Sequence, residues 1–198
     1  MGSATAQSMR RGNLFIISGP SGAGKGTLVR ELPARVPDVW VSVSVTTRAP
    51  RPGEVEGQHY FFVSCDEFDR LARTGGLLEW AEVHGNRYGT PRSEVEKKIA
   101  EGRQVILEID PQGAFQVKRV LPGSVLVFIQ PPSFAELQRR LEGRGSETKA
   151  QVETRLETAR HELELVGEYN HVVQNDDVPR AVGELVDIID SYADQQEV

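Results

Sequence analysis

The sequence holds a single cysteine, Cys65, so it has no internal disulfide and too few thiols for a Cys-rich zinc site; a reducing compartment is the simplest setting. Positive charge is also short. Lys and Arg total 23 against 29 Asp and Glu, a formal charge of -6, which is the wrong sign for holding nucleic acid by its phosphates or coating a membrane surface. No uninterrupted apolar stretch approaches the roughly 20 residues that span a bilayer. Residues Met1 to Arg10 are small and polar without the apolar run of a signal peptide, so 1–11 is expected to be a disordered leader or tag. His59, His84, His161 and His171 show no metal-ligand spacing, and repeats and low-complexity tracts are missing. What remains fits a cytoplasmic protein with one domain over 12–198: 38% of its residues are apolar and 26% charged, enough for a sizeable core. Whether it is a monomer or a homo-oligomer is left open.

Asn13 to Ser18 (N-L-F-I-I-S) is a short apolar run ending at a Gly-rich turn, the pattern of a buried parallel strand. A helix should follow, with Leu28, Val29 and Leu32 on its inner face and Pro33 stopping or kinking it early. Gln104 to Asp110 and Ser124 to Gln130 repeat the buried-strand pattern, each ahead of a helical one. The alternation predicts an α/β fold with a parallel sheet core and helices on both faces. Ser64 with Glu67, Ser93 with Glu96 and Ser133 with Glu136 have capping-box spacing and predict helix starts. A long helix is expected from about Glu147 to Gly167, a last strand at His171 to Gln174, and a closing helix from Pro179 to about Asp190. Between Trp40 and Pro91 the texture changes to short strand-like pieces, Val41 to Val45, Tyr60 to Val63 and Leu77 to Val83, set among Arg, Pro and Gly. These predict an insert over about 40–91, leaving a core of 12–39 and 92–192.

Gly19 to Thr27 reads G-P-S-G-A-G-K-G-T between that first strand and its helix. The G-x-x-x-x-G-K spacing across Gly19, Pro20, Ser21, Gly22, Ala23, Gly24 and Lys25 is that of a phosphate-binding P-loop. Backbone N–H groups and the helix N-terminus surround phosphates there, and the Lys reaches the β/γ oxygens. The next position departs from the pattern: it is Gly26 where Ser or Thr is wanted, and the hydroxyl comes one residue late, as Thr27. Arg48 and Arg51, held apart by Pro50, are planar forks able to grip a second phosphate that the loop does not hold. Arg140 and Arg144 enter a Gly-flanked stretch with Arg155 beyond it, the composition of a lid over about 143–155 that brings cations to a phosphoryl group. Arg139 reads as a charged helix face. Asp110, ending a buried strand, can hold Mg²⁺ through water or cap the following helix.

These segments, G-P-S-G-A-G-K, S-V-T-T-R-A-P-R-P-G-E (44–54), E-G-Q-H-Y-F-F-V (56–63), L-L-E-W-A-E-V-H-G-N-R-Y-G-T (77–90), L-E-I-D-P-Q-G-A (107–114), R-R-L-E-G-R-G (139–145) and N-D-D (175–177), resemble the guanylate kinase family in content and order. The resemblance implies a P-loop fold with an inserted nucleotide-monophosphate subdomain and a small lid, and transfer of the ATP γ-phosphoryl group to GMP or dGMP with Mg²⁺. It implies that Arg48, Arg51, Tyr60 and Tyr88 bind the GMP phosphate and that Ser44, Glu79, Thr90 and Glu108 line the guanine site. Lys25, Arg140, Arg144 and Arg155 would serve the ATP phosphates, Asn175 would approach the adenine, and Thr27 and Asp110 would attend the metal. Thr90 stands where many members have Ser, and Glu108 where some have Asp, each keeping the needed oxygen. The chemistry agrees: guanine presents a ring N–H and an exocyclic amine side by side, and one carboxylate, Glu79, accepts from both, whereas adenine leaves it facing a lone pair. A GTPase is the poorer reading, because no N-K-x-D signature exists and a second phosphate site would go unexplained. The remaining alternative is a non-catalytic interaction module on the same fold.

Overall fold

The computed structural model describes residues 10–83, 85–143 and 149–194. The expectations for His84 and Arg144, most of the leader and part of the lid lie outside these residues. In chain order the elements are β1 (Asn13–Ser18), α1 (Lys25–Arg35), β2 (Val39–Val41), β3 (Val45–Thr46), β4 (Phe61–Phe62), α2 (Cys65–Arg73), β5 (Leu77–Val83), β6 (Asn86–Pro91), α3 (Arg92–Ala100), β7 (Gln104–Glu108), α4 (Pro111–Val120), β8 (Val125–Gln130), α5 (Phe134–Glu142), α6 (Lys149–Glu164), β9 (His171–Gln174) and α7 (Val178–Ala193), with a 3₁₀ turn over Leu165–Glu168.

Five strands form a wholly parallel sheet in the order β2-β7-β1-β8-β9. Successive side chains of a strand leave opposite faces, and β1 separates the two cores on that basis. Phe15 and Ile17 pack with α1 and α7 through Leu28, Leu32, Leu185 and Ile189. Leu14 and Ile16 pack on the other face with Val95 of α3 and Ala114 and Val117 of α4. The α/β expectation therefore holds, with helices on both faces. A second, mixed sheet runs β4-β3-β6-β5 and packs its own small core of Val45, Phe68 and Leu77.

Several local expectations change. Val41 to Val45 is not one strand: Val41 ends β2 in the parallel sheet and Val45 starts β3 in the second, with Ser42–Ser44 carrying the chain across. Pro33 does not stop α1, which continues to Arg35, because so near the end its missing N–H costs one bond in the last turn. Ser93 lies inside α3, which Pro91 opens directly from β6, whereas Ser64 and Ser133 do cap, accepting from Glu67 N–H and Glu136 N–H at 3.1 Å. The long helix ends as α at Glu164 and tightens to the 3₁₀ turn, and the closing helix runs from Val178 to Ala193.

Candidate active site

The loop after β1 lies over the carboxyl ends of the parallel strands, where open α/β sheets place ligands. It turns there because two positions accept only glycine. Gly19 has φ +134, and a Cβ on it would lie 2.4 Å from the Ile129 carbonyl of β8. Gly24 has φ +91 at the N-cap of α1, where a Cβ would lie 2.3 Å from Asn175 Nδ2. The chain thereby presents the first N–H groups of α1 and the helix's positive end to one cleft of about 360 Å³, lined by Ser21, Lys25, Gly26, Thr27, Arg30 and Glu108 among others.

Lys25 opens α1, and its ammonium donates to the carbonyls of Gly19 and Pro20. Burial pushes the ammonium below the ordinary lysine range, while Glu108, Glu162 and Asp110 oppose that shift. Behind the loop, buried Asn175 donates from Nδ2 to the Ala23 carbonyl at 2.7 Å, and Arg140 Nη2 donates to the Asn175 carbonyl at 3.2 Å. Arg140 is aimed by Glu136, which accepts from its Nε at 2.8 Å. Arg155 Nη2 donates to Ser21 Oγ. Thus Lys25, Arg140, Arg155 and Asn175 converge on one loop, and Asn175 meets the loop's own backbone. Arg139 pairs with Glu136 on the exposed face, as read.

A second group assembles on the mixed sheet. Arg48 lies 5.4 Å from the Tyr60 ring centroid, and Tyr60 and Tyr88 stand edge to face at 5.9 Å. The sequence reading gave no role to Glu54, which organises this group. Its carboxylate accepts from Arg48 Nη1 and Nη2 at 3.0 and 2.8 Å and from Arg51 N–H at 2.7 Å, and these donors hold it down to about 2. The signal was present as R-P-G-E, a turn with Glu three residues after Arg51.

Glu79 on β5 is 8% exposed while its neighbour Trp80 is 44% exposed, so the strand turns the carboxylate inward. Thr90 on β6 donates from Oγ1 to Glu79 Oε1 at 2.6 Å. Burial pushes the Glu79 carboxyl upward, Thr90 opposes this, and Asp110 adds to it. Asp110 caps α4, accepting from Gly113 N–H at 2.8 Å, and Gly113 leaves room for Glu79, since a Cβ would come within 3.1 Å of its Oε2. Ser44 sits just before β3, its carbonyl accepting from Phe61 N–H at 2.9 Å. Glu108, at the end of β7, lines the cleft at the loop after β1. Its oxygens lie 3.2 and 3.4 Å from where a Gly26 Cβ would be. Burial pushes Glu108 up, and Lys25 and Arg30 pull it down. Among the described residues no group of three His, Cys, Asp or Glu is placed to hold a metal by itself.

A family model described as guanylate kinase matches residues 11–192. The chain is 54% identical over 171 residues to a guanylate kinase of Parasynechococcus marenigrum, covering 86% of this chain and 94% of that protein. It is 53% identical over 176 residues to one of Thermobifida fusca, covering 89% and 90%. The crystal structure of guanylate kinase from Anaplasma phagocytophilum superposes with a TM-score of 0.72 at 34% identity, covering 94% of this chain and 89% of that one.

Proposed function

The chain belongs to the guanylate kinase family, and we infer from this premise that it is an ATP:GMP phosphotransferase, giving ADP and GDP. The observation that carries the reading is the pair of separate anion cradles, the loop with Lys25 and the group around Arg48, with the buried Glu79 on the same sheet as the second. An interaction module has no use for both.

In this reading Arg48, Arg51, Tyr60 and Tyr88 hold the acceptor phosphate, while Glu79 with Thr90 and Ser44 receives guanine. The base and phosphate so recognised are shared by dGMP. The residues from Gly19 to Thr27, with Arg140, Arg144, Arg155 and Asn175, hold ATP. Residues 40–91 act as the acceptor subdomain and 143–155 as the lid over a 12–39 and 92–192 core. No nucleophile stands beside an activating base, and none is needed. The GMP phosphate has a second pKa of about 6 and is already an anion at neutral pH. Transfer is then direct and in line, driven by alignment and by positive charge facing the moving group.

Mg²⁺ fits the donors present: Thr27 and Glu108 line the cleft and Asp110 faces Lys25, all hard oxygens of the type the ion takes. Bound with ATP, the ion supplies charge neutralisation at the phosphate oxygens. Gly26→Ser would place its hydroxyl against Glu108 rather than in open space, because that carboxylate is the nearest group to its Cβ. The expected result is a modest shift in the Mg²⁺ concentration for half-maximal rate and an unchanged KM for GMP; a change in GMP binding would put the two sites in the wrong places.

Glu54→Gln removes the charge that fixes the Arg48 fork. A several-fold rise in KM for GMP, of about 3- to 10-fold, with kcat nearly constant is expected in steady-state kinetics. A fall in KM would show instead that Glu54 competes with the phosphate. No helix among the described residues is long and apolar enough to cross a membrane, and a cytoplasmic setting, where ATP and GMP are both at hand, suits the reaction. ADP release measured against AMP, GMP, dGMP, CMP and UMP tests the reading, and silence with all five would return the interaction module.

A further inference from the structure

Asn175 directly follows β9, and its backbone is fixed twice. Its N–H donates to the Gln130 carbonyl at the end of β8 at 2.8 Å, and its own carbonyl accepts from Arg140 Nη2 at 3.2 Å. Arg140 is in turn tied to Glu136 of α5, at 2.8 Å. From this fixed base the side chain donates through Nδ2 to the Ala23 carbonyl at 2.7 Å. An amide oxygen could not stand in that place, since two acceptors would then face each other. Asn175 is 4% exposed, which leaves little of it for a ligand to touch.

What the amide holds is the peptide bond between Ala23 and Gly24. In a planar trans peptide the carbonyl and the following N–H leave on opposite sides, so tying the Ala23 oxygen to Asn175 sends the Gly24 N–H the other way. Gly24 lines the cleft at the loop after β1. Position 24 must be glycine, because a Cβ there would lie 2.3 Å from Asn175 Nδ2. Glycine brings a liability with it. It takes φ of either sign about equally, and a change of sign at Gly24, now at +91, with a matching turn at Ala23 would rotate the peptide and exchange its N–H for a carbonyl. A carbonyl oxygen repels an anion where an N–H attracts one. The close approach that excludes a side chain at Gly24 thus also supplies the bond that fixes this peptide.

We propose that Asn175 is a positioning residue for the loop after β1, its amide keeping the Ala23–Gly24 peptide turned so that the N–H, and not the carbonyl, meets a bound phosphate chain. The inference rests on the reading of that loop as the ATP-phosphate site and deepens it. Two roles for this side chain have different consequences. A residue that contacts adenine acts only on ligands that carry the base, whereas one that sets the loop backbone acts on any polyphosphate, with a base or without. The geometry favours the second, because the amide nitrogen already donates to the loop.

Equilibrium binding of ATP and of inorganic tripolyphosphate to the full chain, beside steady-state kinetics, tests this in two variants. Asn175→Asp keeps the size and puts an acceptor against the Ala23 carbonyl, while Asn175→Ala removes the contact. In Asn175→Asp both ligands should weaken by the same factor, about tenfold, with kcat falling by about tenfold or more and KM for GMP staying within about twofold. Asn175→Ala should show the same pattern with a smaller loss, since nothing then repels the carbonyl. Loss of a buried hydrogen bond lowers the thermal midpoint in any case, so the readout is the split between the two substrates. The proposal is overturned if ATP weakens while tripolyphosphate binds as it does to the parent, the pattern of an adenine contact. It is equally overturned if both ligands stay within about twofold, or if KM for GMP deteriorates as far as the other constants, the pattern of a merely structural residue. Should Asn175→Ala fail to fold, Asn175→Asp decides the matter alone. A parent chain inactive on GMP would sink the functional reading, and the ratio of tripolyphosphate affinities would still decide the role of Asn175.

Discussion

Lys25→Met is expected to lower kcat by about two to three orders of magnitude, the scale of removing one preorganised donor from a developing charge. The ammonium sits at the first residue of α1, where the helix's positive end and the loop N–H groups already favour an anion. It is held in place by the Gly19 and Pro20 carbonyls, both part of the loop it serves, so its arm is aimed before substrate arrives. Methionine keeps the length and loses the charge. Because burial disfavours the ammonium, the folded chain should not lose stability; its thermal midpoint should hold or rise slightly. KM for GMP should change little, since Arg48, Tyr60 and Tyr88, which we propose hold the acceptor phosphate, cluster on another sheet. Steady-state ADP release with both substrates saturating, read beside thermal unfolding, separates these outcomes. A loss under about tenfold would mean that the backbone donors carry the transfer without the lysine.

How far the sequence disclosed this site depends on the range over which each contact acts. The loop after β1 was legible because strand, glycine spacing and helix are contiguous, and the structure turns at Gly19 and Gly24 for reasons local to them. The buried strands were legible for a similar reason: β1, β7 and β8 are covered on both faces and read as apolar runs. The second sheet was legible as a change of texture and not in its strands. Elements as short as β3 and β4, two residues each, hold no period to detect, and the step from β2 to β3 falls inside one run of alternating Val and Ser. Ser93 had capping spacing, but the β6 ladder runs to Pro91 and leaves no room for a separate cap.

Glu54 was passed over although its partners, Arg48 and Arg51, are near in sequence. It had a local turn as its signal. Asn175 and Glu108 are the opposite case. Each stands at the carboxyl end of a parallel strand, and the fold places both beside the loop after β1. Local pattern thus disclosed which atoms could bind phosphate, and the sheet order decided which of them share a cleft.

Glu79→Gln is expected to lower kcat/KM for GMP by about a hundredfold and to leave the poor rate with AMP nearly unchanged, so that base selection collapses from the GMP side. Guanine brings two adjacent donors to this carboxylate. Oε1 already accepts from the Thr90 hydroxyl at 2.6 Å, and Oε2 lies beside Gly113, whose bare Cα leaves it uncrowded. An amide in place of the carboxylate meets one guanine donor with an N–H donor of its own and must break a bond or leave one unmade. Adenine offers an acceptor at the corresponding ring nitrogen, so in the parent chain it faces a buried carboxylate with nothing to donate. The parent should also show the titration of this group. Burial holds the Glu79 carboxyl above the ordinary glutamate range, so as pH falls through that raised value the acceptor is protonated and KM for GMP rises, while above it the carboxylate is charged and KM is flat. In Glu79→Gln that acid-side rise should vanish. A parent equally active on AMP and GMP, or a variant that keeps both its preference and the acid limb, would show that another group reads the base.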